Sequence, residues 1–284
     1  MLGSVIDAED IVQETFIRWQ QNSRDEIASP EAFLVTIVSR LCLDHLQSAR
    51  LAREKYFGQW LPEPVVTGFE GDPYSNSQMD ESLSMAFLLI LERLTPMERA
   101  VFLLREIFDY EYPEIARILE QTESNCRQVL RRARQHVKQT QRRFDASPRQ
   151  REELFQQFLH ASAGGDMEGL LAIFSKDIVL YADGGGKSSA VPNPIFGADH
   201  VARFLFGARK TFLPDGLVRQ AVQINGRPGL FTYFQGQPYS ALSFEMDGEH
   251  IRNIFIVSNP DKLVGLPAMA SWEGLPQQTA FCDS

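Results

Sequence analysis

The sequence has little that could hold a metal cluster, a disulfide framework or a membrane span. Its 284 residues include three cysteines, Cys42, Cys126 and Cys282, odd in number and far apart. That usage points to a reducing, cytoplasmic setting and excludes a cross-linked scaffold. There are five histidines, and none stands beside a carboxylate at the helical spacing of a metal site. No apolar run approaches the length that crosses a bilayer; "MAFLLILERL" is short and ends in charge. The first residues, "MLGSVIDAEDIVQE", turn acidic at once, unlike a secretory leader. Positive charge is also in deficit. The formal net charge is −9, which argues against nucleic acid binding by the molecule as a whole.

Against that average stands one local excess. From Ser124 to Arg143 the basic residues are Arg127, Arg131, Arg132, Arg134, Lys138, Arg142 and Arg143, with no acid among them. A charge run is most often a solvated helix face. Here it lies in "DYEYPEIARILEQTESNCRQVLRRARQHV", which has the pattern of a helix-turn-helix. Ile115, Ala116, Ile118 and Leu119 give the first helix its apolar side, and Val129, Leu130 and Ala133 face inward from the second. Ser124, Asn125, Arg127, Gln128 and Arg131 then face outward on its first turns. Arg suits guanine or phosphate, and Asn or Gln suits adenine, so this face fits DNA.

The apolar content of 44% is enough for sizeable cores, and the length allows two or more domains. Residues 1–57 read as helical. "DAEDIVQETFIRW" places Ile11, Val12, Thr15, Phe16 and Trp19 near one face, and Ser29 with Pro30 starts a second helix. Residues 58–80, rich in Gly and Pro, read as a linker. Residues 81–145 return to helix, with Thr95, Pro96 and Glu98 forming a capping box. Ser147, Pro148 and Gln150 repeat that signal at the start of a region, 146–267, that turns to strands: "DIVLYAD", "LVRQAVQIN", "GLFTYF", "SALSFEM" and "HIRNIFIV". Turns fall at Asn225-Gly226 and Asp247-Gly248. Residues 268–284 read as a tail.

"DAEDIVQETFIRW" resembles region 2 of sigma-70-type initiation factors. "LTPMERAVFLLRE" with "YPEIARILEQTESNCRQVLRRAR" resembles their region 4. Together, with no region 3 between them, they are similar to the extracytoplasmic-function sigma factors. The C-terminal half resembles a SnoaL-like domain. A subgroup of these factors carries that domain with three signatures, "WLPEP", "DGGGK" and "NPDKL", and all three occur here. The expected fold is therefore multidomain: two all-α sigma domains, the second a helix-turn-helix, then an α+β SnoaL-like cone with a curved antiparallel sheet.

The resemblance implies roles. Asp7, Glu9, Asp10, Gln13 and Glu14 match the helix that docks on the polymerase β′ subunit, although acids in a first turn also stabilise the helix itself. Arg40, Arg50, Arg53 and Lys55 match the part that holds the melted −10 element. Ser124, Asn125, Arg127, Gln128, Arg131, Arg132 and Arg134 match the −35 reader. Trp60, Leu61, Pro62, Glu63 and Pro64, with Asp183, Gly184, Gly185, Gly186 and Lys187 and with Asn259, Pro260, Asp261, Lys262 and Leu263, are expected to make regulatory contacts within the chain. The implied partners are the β′ and β subunits of RNA polymerase core and promoter DNA; a small ligand of the C-terminal domain is a further candidate, and a membrane is not expected. No cofactor, metal or catalytic residue is expected. Two departures stand out: the chain begins inside what would be the second helix of region 2, and Glu120 occupies a turn position where glycine is common.

Other readings of "YADGGGKS" remain beside this one. A Walker loop needs a glycine where Tyr181 stands, so a nucleotide cradle is excluded. An enzyme would use Asp183 as a base with His200. A plain turn needs only the positive φ that glycine supplies. A ligand sensor would line its cone with Phe174, Tyr181, Phe204, Phe231 and Tyr233, residues that a simple core would also use. For the signature contacts, Glu63 could pair with Lys187 or Lys262.

Overall fold

The structure, a computed structural model, describes residues 1–22, 27, 29–53, 56–67, 84–140, 146–188, 190–211, 213–266 and 281–282. The chain forms two compact units, Met1–Lys55 with Leu88–Arg142, and Tyr56–Phe87 with Arg143–Ser284.

The first unit is helical. Helix α1 (Val5–Gln21) starts at Ser4, whose hydroxyl accepts from the Asp7 amide. Helix α2 (Pro30–Arg53) starts at Ser29, which accepts from the Ala32 amide. Ile11 of α1 packs with Leu2, Cys42 and Leu46. Of the five residues near one face of α1, Ile11 and Thr15 are buried, whereas Val12 and Phe16 are 62% and 58% exposed. The apolar stripe is thus narrower than its composition suggests.

After α3 (Met85–Glu92), α4 (Pro96–Phe102) opens with the expected capping box. Glu98 N donates to Thr95 Oγ1 at 3.3 Å, and Thr95 N to Glu98 Oε2 at 3.0 Å. The helix then widens into a π-helical turn, Leu103–Ile107, instead of continuing as one α-helix. Helices α5 (Tyr112–Ile118) and α6 (Glu123–Thr140) follow. Cys126, Val129, Leu130, Ala133 and Val137 of α6 are buried at a three-and-four spacing and close this core with Ile115, Ile118 and Leu119.

The second unit is α+β. The linker contributes β1 (Val66–Thr67). Then come α7 (Pro148–Gly164), α8 (Met167–Ile173), β2 (Phe174–Asp183), β3 (Ile195–Phe196), α9 (Ala198–Thr211), β4 (Val218–Ile224), β5 (Arg227–Phe234), β6 (Gln237–Met246), β7 (Ile251–Val257) and β8 (Phe281–Cys282). The sheet order is β1-β4-β5-β6-β7-β2-β3, with β8 also on β4. Pairing is antiparallel except between β2 and β7, which run parallel. Ser147 and Gln150 cap α7 reciprocally, and Gly165 ends it at φ 68°. Phe155 and Phe158 of α7 pack on Phe244, the latter edge-on at 4.7 Å. Leu170, Ile178, Leu180, Val201 and Ile254 complete a core between helices and sheet.

Candidate functional site

In the helix-turn-helix, burial of one side of α6 leaves Ser124, Arg127, Gln128, Arg131, Arg132 and Arg134 exposed. Several of these are held by neighbours in their own unit. Arg127 pairs with Glu123 at 3.0 Å and lies 4.6 Å above the Tyr112 ring. Arg134 pairs with Glu106 at 2.7 Å, and Arg132 approaches the buried Glu98 at 3.7 Å. Asn125 is half-buried; its amide donates to Gln121 Oε1 at 2.7 Å, so it braces the turn. The residue at the glycine-like turn position, Glu120, keeps the left-handed conformation with φ 51°. Its carboxylate meets Arg40 at 2.8 Å, and Arg40 Nε also donates to the Ile118 carbonyl at 3.4 Å. Sequence reasoning placed Arg40 with the basic end of α2; the structure ties it to the turn. The side chains of Arg50, Arg53 and Lys55 lie outside the described residues.

On α1, Glu9, Asp10 and Gln13 are exposed and Asp7 and Glu14 half-exposed. Asp7 lies 3.2 Å from His45 and Glu14 holds Arg18 at 2.7 Å. Glu9, Val12, Gln13 and Phe16 recur at helical spacing, so the outer face of α1 mixes acids with large apolar groups.

In the second unit the three short signatures meet at one carboxylate. Asp183 ends β2 and is fully buried. Its Oδ1 accepts from Tyr56 Oη at 2.6 Å and Gly185 N at 3.0 Å; its Oδ2 accepts from Leu61 N at 2.8 Å and Lys262 Nζ at 2.7 Å. Its main-chain carbonyl takes the amides of Ser258 and Asn259. Lys262 also donates to the Leu61 carbonyl and lies 4.0 Å from the Trp60 ring centre. A buried carboxylate is tolerable only with this degree of satisfaction. Burial, then the hydrogen bond to Asp183, push the Tyr56 phenol well above its usual pKa, so it remains a donor across the physiological range.

Beyond this node the linker remains attached. Leu61, Pro62 and Pro64 are buried. Val65 N donates to Asn225 Oδ1 at 3.1 Å, Asn225 N returns to the Val65 carbonyl at 2.8 Å, and β1 pairs with β4 through Val66 and Thr67. The segment is therefore an edge strand of the domain along 65–67.

The glycines of "DGGGK" serve this packing. A side chain on Gly185, at φ 59°, would meet the Asn259 side chain at 2.4 Å; one on Gly184 would meet Ala190 at 2.7 Å. Lys187 pairs with Asp261 at 2.5 Å and Lys262 with Asp183, so one acid that anchors the linker comes from the end of β2. Asn259 caps the short turn Pro260–Lys262 and donates to Tyr56 Oη at 2.8 Å, while Leu263 is buried. His200 is exposed, with Nδ1 3.1 Å from the Phe196 carbonyl. Among the described residues no group of three or more His, Cys, Asp and Glu is arranged to hold a metal.

A cavity of about 430 Å³ opens between α7, α9 and the sheet. Of the five aromatics expected in it, Phe204 lines it; Phe174, Phe231 and Tyr233 are buried elsewhere in the core, and Tyr181 stacks on Phe255. Sequence reasoning missed Tyr56 and Asn225 as linker anchors. Tyr56 stands four residues before Trp60, a faint signal; Asn225 read only as a turn residue, and nothing local marks its reach to Val65.

The family model "Sigma-70 region 2" matches residues 1–51, and "Sigma-70, region 4" matches 84–137. The ECF RNA polymerase sigma factor SigJ of Mycobacterium tuberculosis (strain ATCC 25618 / H37Rv) is 36% identical over 281 residues, 94% of this chain and 88% of that protein. The probable ECF RNA polymerase sigma factor SigI of Mycobacterium tuberculosis (strain CDC 1551 / Oshkosh) is 28% identical over 94% of this chain and 90% of that protein. The crystal structure of the Mycobacterium tuberculosis extracytoplasmic function sigma factor SigJ superposes with a TM-score of 0.76 and 33% identity, covering 94% of this chain and 93% of that one. With sigma regions 2 and 4 in order and a C-terminal α+β domain that holds the intervening segment, the chain belongs to the extracytoplasmic-function family of RNA polymerase sigma factors.

Proposed function

We propose that this chain works in the cytoplasm as the promoter-recognition subunit of RNA polymerase, regulated in cis by its C-terminal domain, and that it performs no catalysis of its own. The mixed acidic and apolar face of α1, with Asp7, Glu9, Asp10, Gln13 and Glu14, suits a protein partner and is the docking face for core polymerase. The basic end of α2, with Arg50 and Arg53, and Lys55 after it in sequence hold the −10 strand, and Arg40 joins them when released from Glu120. The outer face of α6, led by Ser124, Gln128 and Arg131, reads the −35 element. Arg127 and Arg134 start from partners in their own unit and exchange these for phosphates, a trade that ion pairs near the surface allow because each is worth only about 0–1 kcal/mol; Arg132, whose 3.7 Å approach to the buried Glu98 is long, turns outward with them.

The observation that carries the regulatory part is the capture of Leu61 by Asp183. The captured segment runs between the two stretches that match the sigma regions. A domain that grips it restricts the span those regions can take on one duplex, and release changes that span. Run-off transcription with core polymerase tests both parts. The chain should direct a single start site, and the double variant Tyr56→Phe, Lys262→Met, which loosens the grip, should change the yield several-fold at the same site. No specific start refutes the sigma reading; an unchanged yield refutes the regulation.

A further inference from the structure

The cavity of the C-terminal unit is polarised. On the pleated surface of the sheet, residues two apart share a face and lie about 7 Å from one another. Leu230, Leu242, Ile256 and Ala182 are neighbours across β5, β6, β7 and β2, and all four line the cavity as an apolar row. Two residues along each strand runs a second row. Arg219 is opposite Thr232 and Thr232 opposite Ser240, with Ser258 at the position facing Ser240 just past β7. These also line the cavity. One wall is hydrocarbon, closed over by Phe158 and Phe204, and the adjoining band is three hydroxyls and one guanidinium.

The same cavity touches the linker clamp. Ala182 adjoins Asp183. Ser258 gives its amide to the Asp183 carbonyl and shares a 2.8 Å hydroxyl contact with Ser188, which follows "DGGGK". Pro192, on the cavity wall, lies under the linker backbone; a side chain on Gly58 would meet it at 3.5 Å. The cavity lining thus includes residues that adjoin the grip on Leu61.

We propose that this cavity is a binding site for an apolar carboxylic acid, seated with its hydrocarbon on the Leu230–Leu242–Ile256 row and its carboxylate at Arg219 and the hydroxyl row, and that its occupancy tightens the linker clamp. The volume suits roughly a dozen to twenty non-hydrogen atoms in a mainly apolar site with a few placed polar groups. Among the described lining residues Arg219 is the one cation, set beside hydroxyls, which suits a single negative charge, and Arg is the side chain best shaped to take a carboxylate two-pronged. Arg219 already holds an interaction in the ligand-free chain, so the acid competes for it. The link to regulation rests on the clamp reading above; the binding itself does not.

The test titrates the full chain with two fluorescent probes: anilinonaphthalene sulfonate, apolar with one negative charge, and phenylnaphthylamine, its uncharged counterpart. The charged probe should bind one saturable site and be displaced by dodecanoate. Arg219→Leu should weaken the charged probe about ten-fold or more and the neutral one less than about two-fold, because only one loses a charged hydrogen bond. Arg219→Lys should retain most of the charged probe's affinity, and Ala208→Trp, which fills the cavity from α9, should abolish both. Equal losses for the two probes, or binding indifferent to Ala208→Trp, overturn the site. Amide exchange at Leu61 should slow when dodecanoate is bound; an unchanged rate overturns the coupling. Transcription by the clamp variants reads the regulatory proposal whether or not the cavity fills, so the two failures are distinct.

Discussion

The Asp183 node and the outer face of α6 are both rich in charge, and they use it in opposite ways. At the node one carboxylate, fully buried, is saturated by a phenol, two amides and an ammonium. On α6 the guanidiniums are exposed, and their internal partners are mostly single contacts at the surface. In low dielectric every partner of a buried charge is obligatory; in water each is exchangeable. The node therefore has the character of a structural joint, and α6 that of a surface waiting for another polyion. The lesson is that burial, and not the number of charged residues, separates charge that holds the fold from charge available to a partner.

That contrast can be broken or sharpened by substitution. Asp183→Ala removes the carboxylate partner of Lys262, which is 9% exposed, and frees the Leu61 amide; removal of one partner of a buried pair costs about 3–5 kcal/mol. Urea denaturation should show that loss in the C-terminal transition, and limited proteolysis should newly cut within 56–67. A loss below about 1 kcal/mol would mean that the node is not a joint.

On α6 the opposite outcome is expected. Arg131→Ala should leave the unfolding curve unmoved and weaken promoter binding, with the slope of log affinity against log salt falling by about 1 if the contact is to phosphate. A stability loss with unchanged DNA affinity would reverse the comparison.

Glu120→Gly tests a site between these extremes. The glutamate's left-handed φ of 51° costs about 1 kcal/mol relative to glycine, while its exposed pair with Arg40 returns less. The variant should be slightly more stable in thermal melting, and Arg40 should become available to DNA.

Glu245 gives the smallest effect. Burial pushes its carboxyl above the usual range, partly offset by the hydrogen bond from Asn253 and by Arg252. The folded state thus keeps this proton to higher pH than the unfolded state, and the group's contribution to stability falls as pH rises from 4.5 through the raised folded value. Glu245→Gln should melt higher at neutral pH and gain nothing near pH 4, where the carboxyl is already protonated, as differential scanning calorimetry at the two pH values would show.

Much of the fold could be read in advance because its signals are local. Ser147, Pro148 and Gln150 cap a helix within one turn, Thr95 and Glu98 do the same, and Asn225-Gly226 turns a hairpin whatever lies around it. The three signatures were legible as a set but their chemistry was not. No spacing rule connects Tyr56, Leu61, Asp183 and Lys262, which are brought together only when β2 runs parallel to β7 and the linker crosses its end. The exposure of Val12 and Phe16 was hidden for a related reason: periodicity says which residues share a face, and only a packing partner says how wide that face is.

The sequence by itself determined the elements, the order of the regions and the stripe of positive charge on α6, since these follow from side-chain period, capping chemistry and net charge over short windows. Tertiary structure alone decided which charges are spent. Glu120 claims Arg40, Glu106 claims Arg134, and Asp183 turns a proline-rich connection into part of a domain. The physical reason is that the cost of a charge depends on its distance to water and to its partner, and both are set by residues far away in the chain.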